Sequence, residues 1–137
     1  FTDENPDHIY LFPENSFIGA NDYIILAQDT TVFSTLFLNV VNLYGPFSFG
    51  LSGKGEEINL YDKFDNLIDR VEYKDSYPWP TEPDGNGPTL ELINPDFANE
   101  IANAWGFSIE NGTPGIINSV YSDSLLYIIR KLSKNSY

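Results

Sequence analysis

Several shortages in this chain each exclude a class of protein. There is no cysteine, so neither a disulfide framework nor a thiolate metal site is possible. Only seven basic residues stand against twenty acidic ones. The formal net charge of -13 therefore argues against nucleic acid as a partner, because binding phosphates needs clustered cations. The single histidine, His8, lacks the second ligand of a usual zinc site and the partners of a general base.

Long apolar runs are also missing. No stretch approaches the roughly 20 apolar residues that span a bilayer, so membrane insertion is not expected. What the chain does contain is 137 residues with 15% aromatic and 42% hydrophobic content, which is enough for one domain with a core. Its acidity is typical of a solvated surface.

Short apolar runs separated by turn residues predict an all-β sandwich or barrel. Pro13 closes the first candidate strand and Gly45-Pro46 interrupts a looser apolar segment at 32–43. A region that is irregular or helical is expected at 94–104. The candidate strands outside the central hairpin are Ile9–Phe12, Tyr23–Ala27, Phe47–Leu51, Thr89–Ile93 and Trp105–Ile109.

The clearest unit is an antiparallel hairpin in the sequence "EEINLYDKFDNLIDRVEY", with its turn at Asp62–Asn66. Period-two alternation places Asp69 on the same face as Val71 and Tyr73. A carboxylate among apolar side chains costs several kcal/mol unless it is hydrogen-bonded. We therefore expect Asp69 to be largely buried and to accept hydrogen bonds from loop N–H groups, with Asp69→Ala costing about 1–3 kcal/mol. The alternative interpretation is an active-site acid.

The loop at 77–88 contains the candidate binding residues. Asp84 and Asn86 are spaced as in a calcium loop, but the twelfth position from Asp84 is Pro95 instead of a glutamate, so a turn is favoured over a metal site. Tyr77 and Trp79, among prolines, are candidates for stacking on sugars, although such aromatics also serve to pin a loop onto a core. Neither a metal nor a cofactor is expected.

The last nineteen or so residues differ in character from the rest. Apolar residues recur at helical spacing and basic residues follow them, which predicts an amphipathic helix. A linker to a further domain is the competing interpretation. The expected division is a β-sandwich domain over residues 1–119 and a tail over 120–137. Leu125, Leu126, Ile128 and Ile129 are costly to leave in water, so we expect the tail to pack on the sandwich or on a neighbouring copy, as a helix or as an added strand.

Three ordered motifs resemble the bacterial lamin-tail domain, an intermediate-filament-tail-like, immunoglobulin-like module. They are "LSGKGEEINLYDKFDNLIDRVEY", "YPWPTEPDGNGPTLELINPD" and "NAWGFSIENGTPGIINS", and the resemblance covers Phe1 to Ser119. It implies an immunoglobulin-like β-sandwich without catalytic activity, with Asp69 and Trp105 in structural positions. It also implies an interaction or spacer module of a larger secreted or cell-surface bacterial protein, whose partner is a protein or a cell-surface polymer.

Two departures from the family pattern carry expectations. The family has an opening strand before the position of Phe1, and without it a sheet edge is exposed that invites self-association. The hairpin turn carries Asp65 where glycine is usual, and aspartate tolerates the left-handed conformation. The alternative function is a carbohydrate- or calcium-dependent binding module that uses Tyr77, Trp79, Asp84 and Asn86. An enzyme, built on two of the many carboxylates, is the third interpretation.

Overall fold

A computed structural model describes residues 1–123. The tail from residue 124 onward, including the apolar residues of the predicted amphipathic helix, lies outside the described residues. The described part is β-rich: three two-stranded sheets are joined by loops and accompanied by one short α-helix and one 3-10 turn. None of its helices is long and apolar enough to cross a membrane.

The first sheet pairs two very short strands in parallel. They are β1 (Ile25–Leu26) and β2 (Leu43–Tyr44), connected by helix α1 (Thr30–Leu36). Parallel neighbours need such a crossover, and Asp29 begins the helix by accepting a hydrogen bond from the Val32 N–H at 2.9 Å. The looser apolar segment thus includes a helix, which its composition did not predict.

Two predicted strands are wrong: neither Phe47–Leu51 nor Ile9–Phe12 forms a strand. The segment Ile9–Phe12 has an isolated bridge between Thr2 and Ile9, and Tyr10 and Phe1 exchange two backbone hydrogen bonds, at 2.8 and 3.0 Å. Thr2 in turn forms two backbone hydrogen bonds with Asn59 of the central hairpin, at 3.0 and 2.9 Å. Thr2 therefore lies between this segment and the hairpin. Pro13 then ends the extended run.

The predicted hairpin is confirmed. Strands β3 (Gly55–Tyr61) and β4 (Leu67–Lys74) pair antiparallel, with Ile58 opposite Val71. In the turn, the Asp62 carboxylate accepts hydrogen bonds from the N–H groups of Phe64 and Asn66, at 2.8 and 2.9 Å. Asp65 has a φ of 61°, the left-handed conformation expected of it.

Buried residues are concentrated in the third sheet and the segments that flank it. Strands β5 (Leu90–Leu92) and β6 (Trp105–Phe107) pair antiparallel within the predicted segments, and a 3-10 turn (Ala102–Ala104) precedes β6. Ile93 is fully buried, and the indole rings of Trp79 and Trp105 meet at 5.7 Å between centroids. The remaining buried apolar residues are Ala27, Phe47, Phe49, Ala102 and Ala104.

Candidate interaction site

The outer edge of β4 is the most distinctive surface of the described chain. The backbone N–H and C=O of Asn59 both bond to Thr2, so these two groups point away from β4. In an antiparallel pair, the backbone N–H and C=O groups of two residues directly opposite each other either all face the partner strand or all face away from it. Arg70 lies opposite Asn59, so its N–H and C=O point away from β3. This direction alternates between successive residues of a strand, so the N–H and C=O of Glu72 also point outward.

Within residues 1–123 no strand pairs with this outer edge. The Arg70 N–H donates to Asp69 Oδ1 at 2.8 Å, a contact to its own neighbour's side chain. The outward backbone groups of Glu72 have no hydrogen-bond partner in the described part of the chain. An edge of this kind presents main-chain donors and acceptors ready to pair with another extended segment.

A shallow groove borders the edge, and we call it the β4 groove. It consists of two adjoining depressions, of about 310 Å³ and about 200 Å³, which share Arg70 and Glu100. The larger is also lined by Glu72, Lys74, Pro78 and Trp79, and the smaller by Leu67, Ile68, Asp69 and Asn99. The groove therefore follows the strand and has the shape suited to an extended occupant.

The charged side chains along β4 are held only loosely. Arg70 Nη1 lies 3.6 Å from Glu57 Oε2, and Lys74 Nζ lies 3.0 Å from Glu72 Oε1. Three of these four side chains are more than half exposed, and ion pairs in that setting contribute little to stability. These charges are thus free to re-pair with an incoming strand at little cost.

The predicted burial of Asp69 is wrong: the residue is exposed. The apolar face of β4 is covered only toward Val71 and Tyr73, while Leu67 and Asp69 lie at its open end. The predicted hydrogen bonds are present, but their donors differ. Asp69 Oδ1 accepts from Asn99 Nδ2 at 2.7 Å and from the adjacent Arg70 N–H, so the carboxylate caps the edge instead of serving a buried loop.

Asn99 links the edge to the tryptophan pair, and no sequence pattern singled it out. Its side chain donates to Asp69, while its carbonyl accepts from Trp105 Nε1 at 2.7 Å. Trp105 is half-buried, and its ring lies against that of Trp79. A spacing of thirty residues between Asn99 and Asp69 leaves no local signal to find.

The loop residues predicted as a binding surface differ in exposure, with Trp79 buried and Tyr77, Asp84 and Asn86 exposed. Tyr77 is 74% exposed, but Trp79 is only 7% exposed and its ring lies against Trp105. Trp79 therefore offers no open ring face for a sugar. Asp84 and Asn86 are exposed in a turn, where Asn86 Nδ2 donates to the Asp84 carbonyl at 2.9 Å. In residues 1–123, no group of three or more acidic or histidine side chains is gathered to hold a metal ion.

Two buried acids that sequence reasoning missed serve the fold. Glu91 is 5% exposed and accepts hydrogen bonds from the hydroxyls of Thr113 and Ser119, each at 2.7 Å. Asp3 Oδ2 lies 2.7 Å from Nδ1 of His8, whose ring stacks on Phe49. Burial raises the pKa of Asp3, but the hydrogen bonds from His8 and from the Asn5 N–H outweigh it and leave that pKa lowered.

No protein-family model, curated protein or solved structure matches this chain. A proposal for its function therefore rests on the β4 edge and on the motifs in the sequence.

Proposed function

We propose that the chain is a non-catalytic interaction module of a larger secreted or cell-surface bacterial protein, with an immunoglobulin-like β-sandwich fold. Its binding site is the outer edge of β4, and its partner is an extended polypeptide segment that adds a strand there. The resemblance to the lamin-tail domain supports the class of module, and the small antiparallel sheets are compatible with that fold.

The observation that carries the proposal is the unpaired outer edge beside the β4 groove. Strand addition draws its affinity from main-chain hydrogen bonds and its specificity from the side chains along the edge. Both are present: Glu72 points its backbone groups outward, and Arg70, Glu72 and Lys74 line the larger depression.

The alternative, a carbohydrate- or calcium-dependent module, draws no support from the arrangement of the loop. Of the two candidate aromatic residues, Tyr77 is exposed, whereas Trp79 is buried against Trp105. Asp84 and Asn86 form a turn whose amide bonds to the loop's own carbonyl. A calcium titration, described below, tests what remains of this alternative.

The proposed site is tested with a matched pair of variants at Glu72. Extended peptides are first selected from a displayed random library on the immobilised chain, and their affinities are then measured on Glu72→Pro and Glu72→Gln. Proline removes the outward N–H without breaking a bond to β3, whereas glutamine keeps that N–H and nearly the same shape. We expect the proline variant to lose binding and the glutamine variant to keep it.

Circular dichroism and thermal melting of both variants serve as the folding control. Peptides that bind the proline variant as well as the parent would place the interaction elsewhere on the chain. Failure to select any peptide that depends on the β4 edge would remove the proposed site.

A further inference from the structure

Charges along the edge of β4 alternate in a way that makes the strand complementary to itself. Arg70 and Glu72 are two residues apart, so their side chains share one face, and both turn their backbone groups outward. Val71 lies between them on the opposite face. Cross-strand neighbours of opposite charge stabilise an antiparallel pair, while like charges directly opposite destabilise it.

We propose that the occupant of the β4 edge is a second copy of this chain, paired antiparallel about a two-fold axis at Val71. This inference rests on the proposed function of the same edge and names its partner. In that register Arg70 of each copy lies opposite Glu72 of the other, so the attractive pair occurs twice. Val71 meets its own symmetry mate on the other face.

The neighbouring registers are excluded by charge. An axis at Arg70 sets the two copies of that arginine opposite each other, and an axis at Glu72 sets two glutamates together and brings Arg70 opposite Lys74. A one-residue slip would also exchange the two faces of the strand. An axis at Tyr73 pairs Glu72 with Lys74 but sets Arg70 opposite Ser76, beyond the end of β4, so the axis at Val71 is the one that uses Arg70 and Glu72 within the strand.

The backbone supports the same arrangement. Outward-pointing residues become the hydrogen-bonded pairs of an antiparallel ladder, so the two central pairs contribute about four main-chain hydrogen bonds. The product is a four-stranded sheet in the order β3, β4, β4 and β3, and sheets of three or more strands are more stable than an isolated hairpin. Assembly stops at two copies, because Thr2 already pairs with the outer side of β3 at Asn59.

Two features keep this association weak. Each copy carries a formal charge of -13, so the chains repel at long range. Pairing also requires the Arg70 N–H to exchange its bond with Asp69 for a carbonyl of the second copy. At physiological salt, charges more than about 8 Å apart are screened, while directly facing pairs are screened much less. Self-association should therefore be measured at about 0.15 M salt and over a wide range of protein concentrations.

The test uses the full chain and two charge reversals, Arg70→Glu and Glu72→Arg, examined by sedimentation velocity. Each variant alone places like charges opposite each other at both central positions. We expect each to weaken self-association by about ten-fold or more, since two attractive pairs become repulsive. A mixture of the two variants restores both attractive pairs, so we expect it to associate as strongly as the parent.

Recovery in the mixture also shows that the single variants are folded, and Lys63→Glu in the hairpin turn serves as a charge control away from the edge. The proposal is overturned if the parent chain stays monomeric over the whole concentration range. It is equally overturned if the mixture behaves like its separate components. Either result leaves the selected peptides and their dependence on Glu72 untouched, so the two proposals fail separately.

Discussion

β4 and β5 each contain an acidic residue, but the two residues differ in burial. Asp69 lies on an apolar-patterned face of β4 and is exposed, whereas Glu91, between Leu90 and Leu92 on β5, is 5% exposed. The strand pattern marked the first as buried and gave no warning of the second. Alternation thus identifies which residues share a face, but the neighbours that cover that face come from elsewhere in the chain.

Those neighbours differ between the two strands. β5 is covered by the segment that supplies Thr113 and Ser119, which both bond to Glu91, and Ile93, directly after the strand, is fully buried. β4 is flanked by β3 on one side and by the open β4 groove on the other. A strand with cover becomes part of the core, and a strand without it becomes a surface for binding.

The strongest test of this difference between β4 and β5 is to remove the buried acid, Glu91. Glu91→Ala leaves two hydroxyls without the acceptor that now serves both, and we expect a loss of about 3 kcal/mol in the free energy of unfolding. Urea denaturation measures it, with Thr81→Ala as a control on an exposed loop. A loss below about 1 kcal/mol would show that burial of Glu91 does not stabilise the fold.

Acid titration probes the other buried carboxylate, Asp3. Its pKa in the folded chain is lowered from 3.8, so Asp3 contributes stability above its unfolded pKa and loses that contribution as the pH falls through the folded value. We expect the melting temperature to drop below about pH 4, and Asp3→Asn to make this drop shallower. Parallel acid profiles for parent and variant would contradict the assignment.

At the exposed acid the expected effect is smaller. Asp69→Ala removes two hydrogen bonds at the surface, whose donors can bond to water instead, and we expect a cost of about 0.5 kcal/mol, below the 1–3 kcal/mol that burial implied. The same urea experiment decides between the two values. A cost as large as that of Glu91→Ala would erase the contrast between the strands.

We expect calcium to have no effect on the melting temperature. An ion that binds the native state must raise the melting temperature, and the turn that contains Asp84 and Asn86 satisfies its own amide. We expect the melting temperature to stay constant through a calcium titration. A saturable rise that disappears in Asp84→Ala would revive the calcium-binding alternative.

Local chemistry was readable from the sequence, and long-range contacts were not. The hairpin, its Asp65 turn and the strands within 89–93 and 105–109 follow from apolar runs and turn residues. Helix α1 was missed because its β-branched and aromatic residues resemble a strand by composition. The bonds from Asn99 to Asp69 and from Thr113 to Glu91 join residues 30 and 22 positions apart, and no periodicity signals such pairs.

The double role of Asn99 gives the chain a built-in optical reporter. One residue accepts from the Trp105 indole and donates to the acid at the edge of β4. A strand added at the edge takes the Arg70 N–H from Asp69, and we expect this to disturb the Asp69–Asn99 hydrogen bond and to change the polarity around the indole. Fluorescence emission of Trp105, isolated in a Trp79→Phe background, then follows occupancy of the edge without any label.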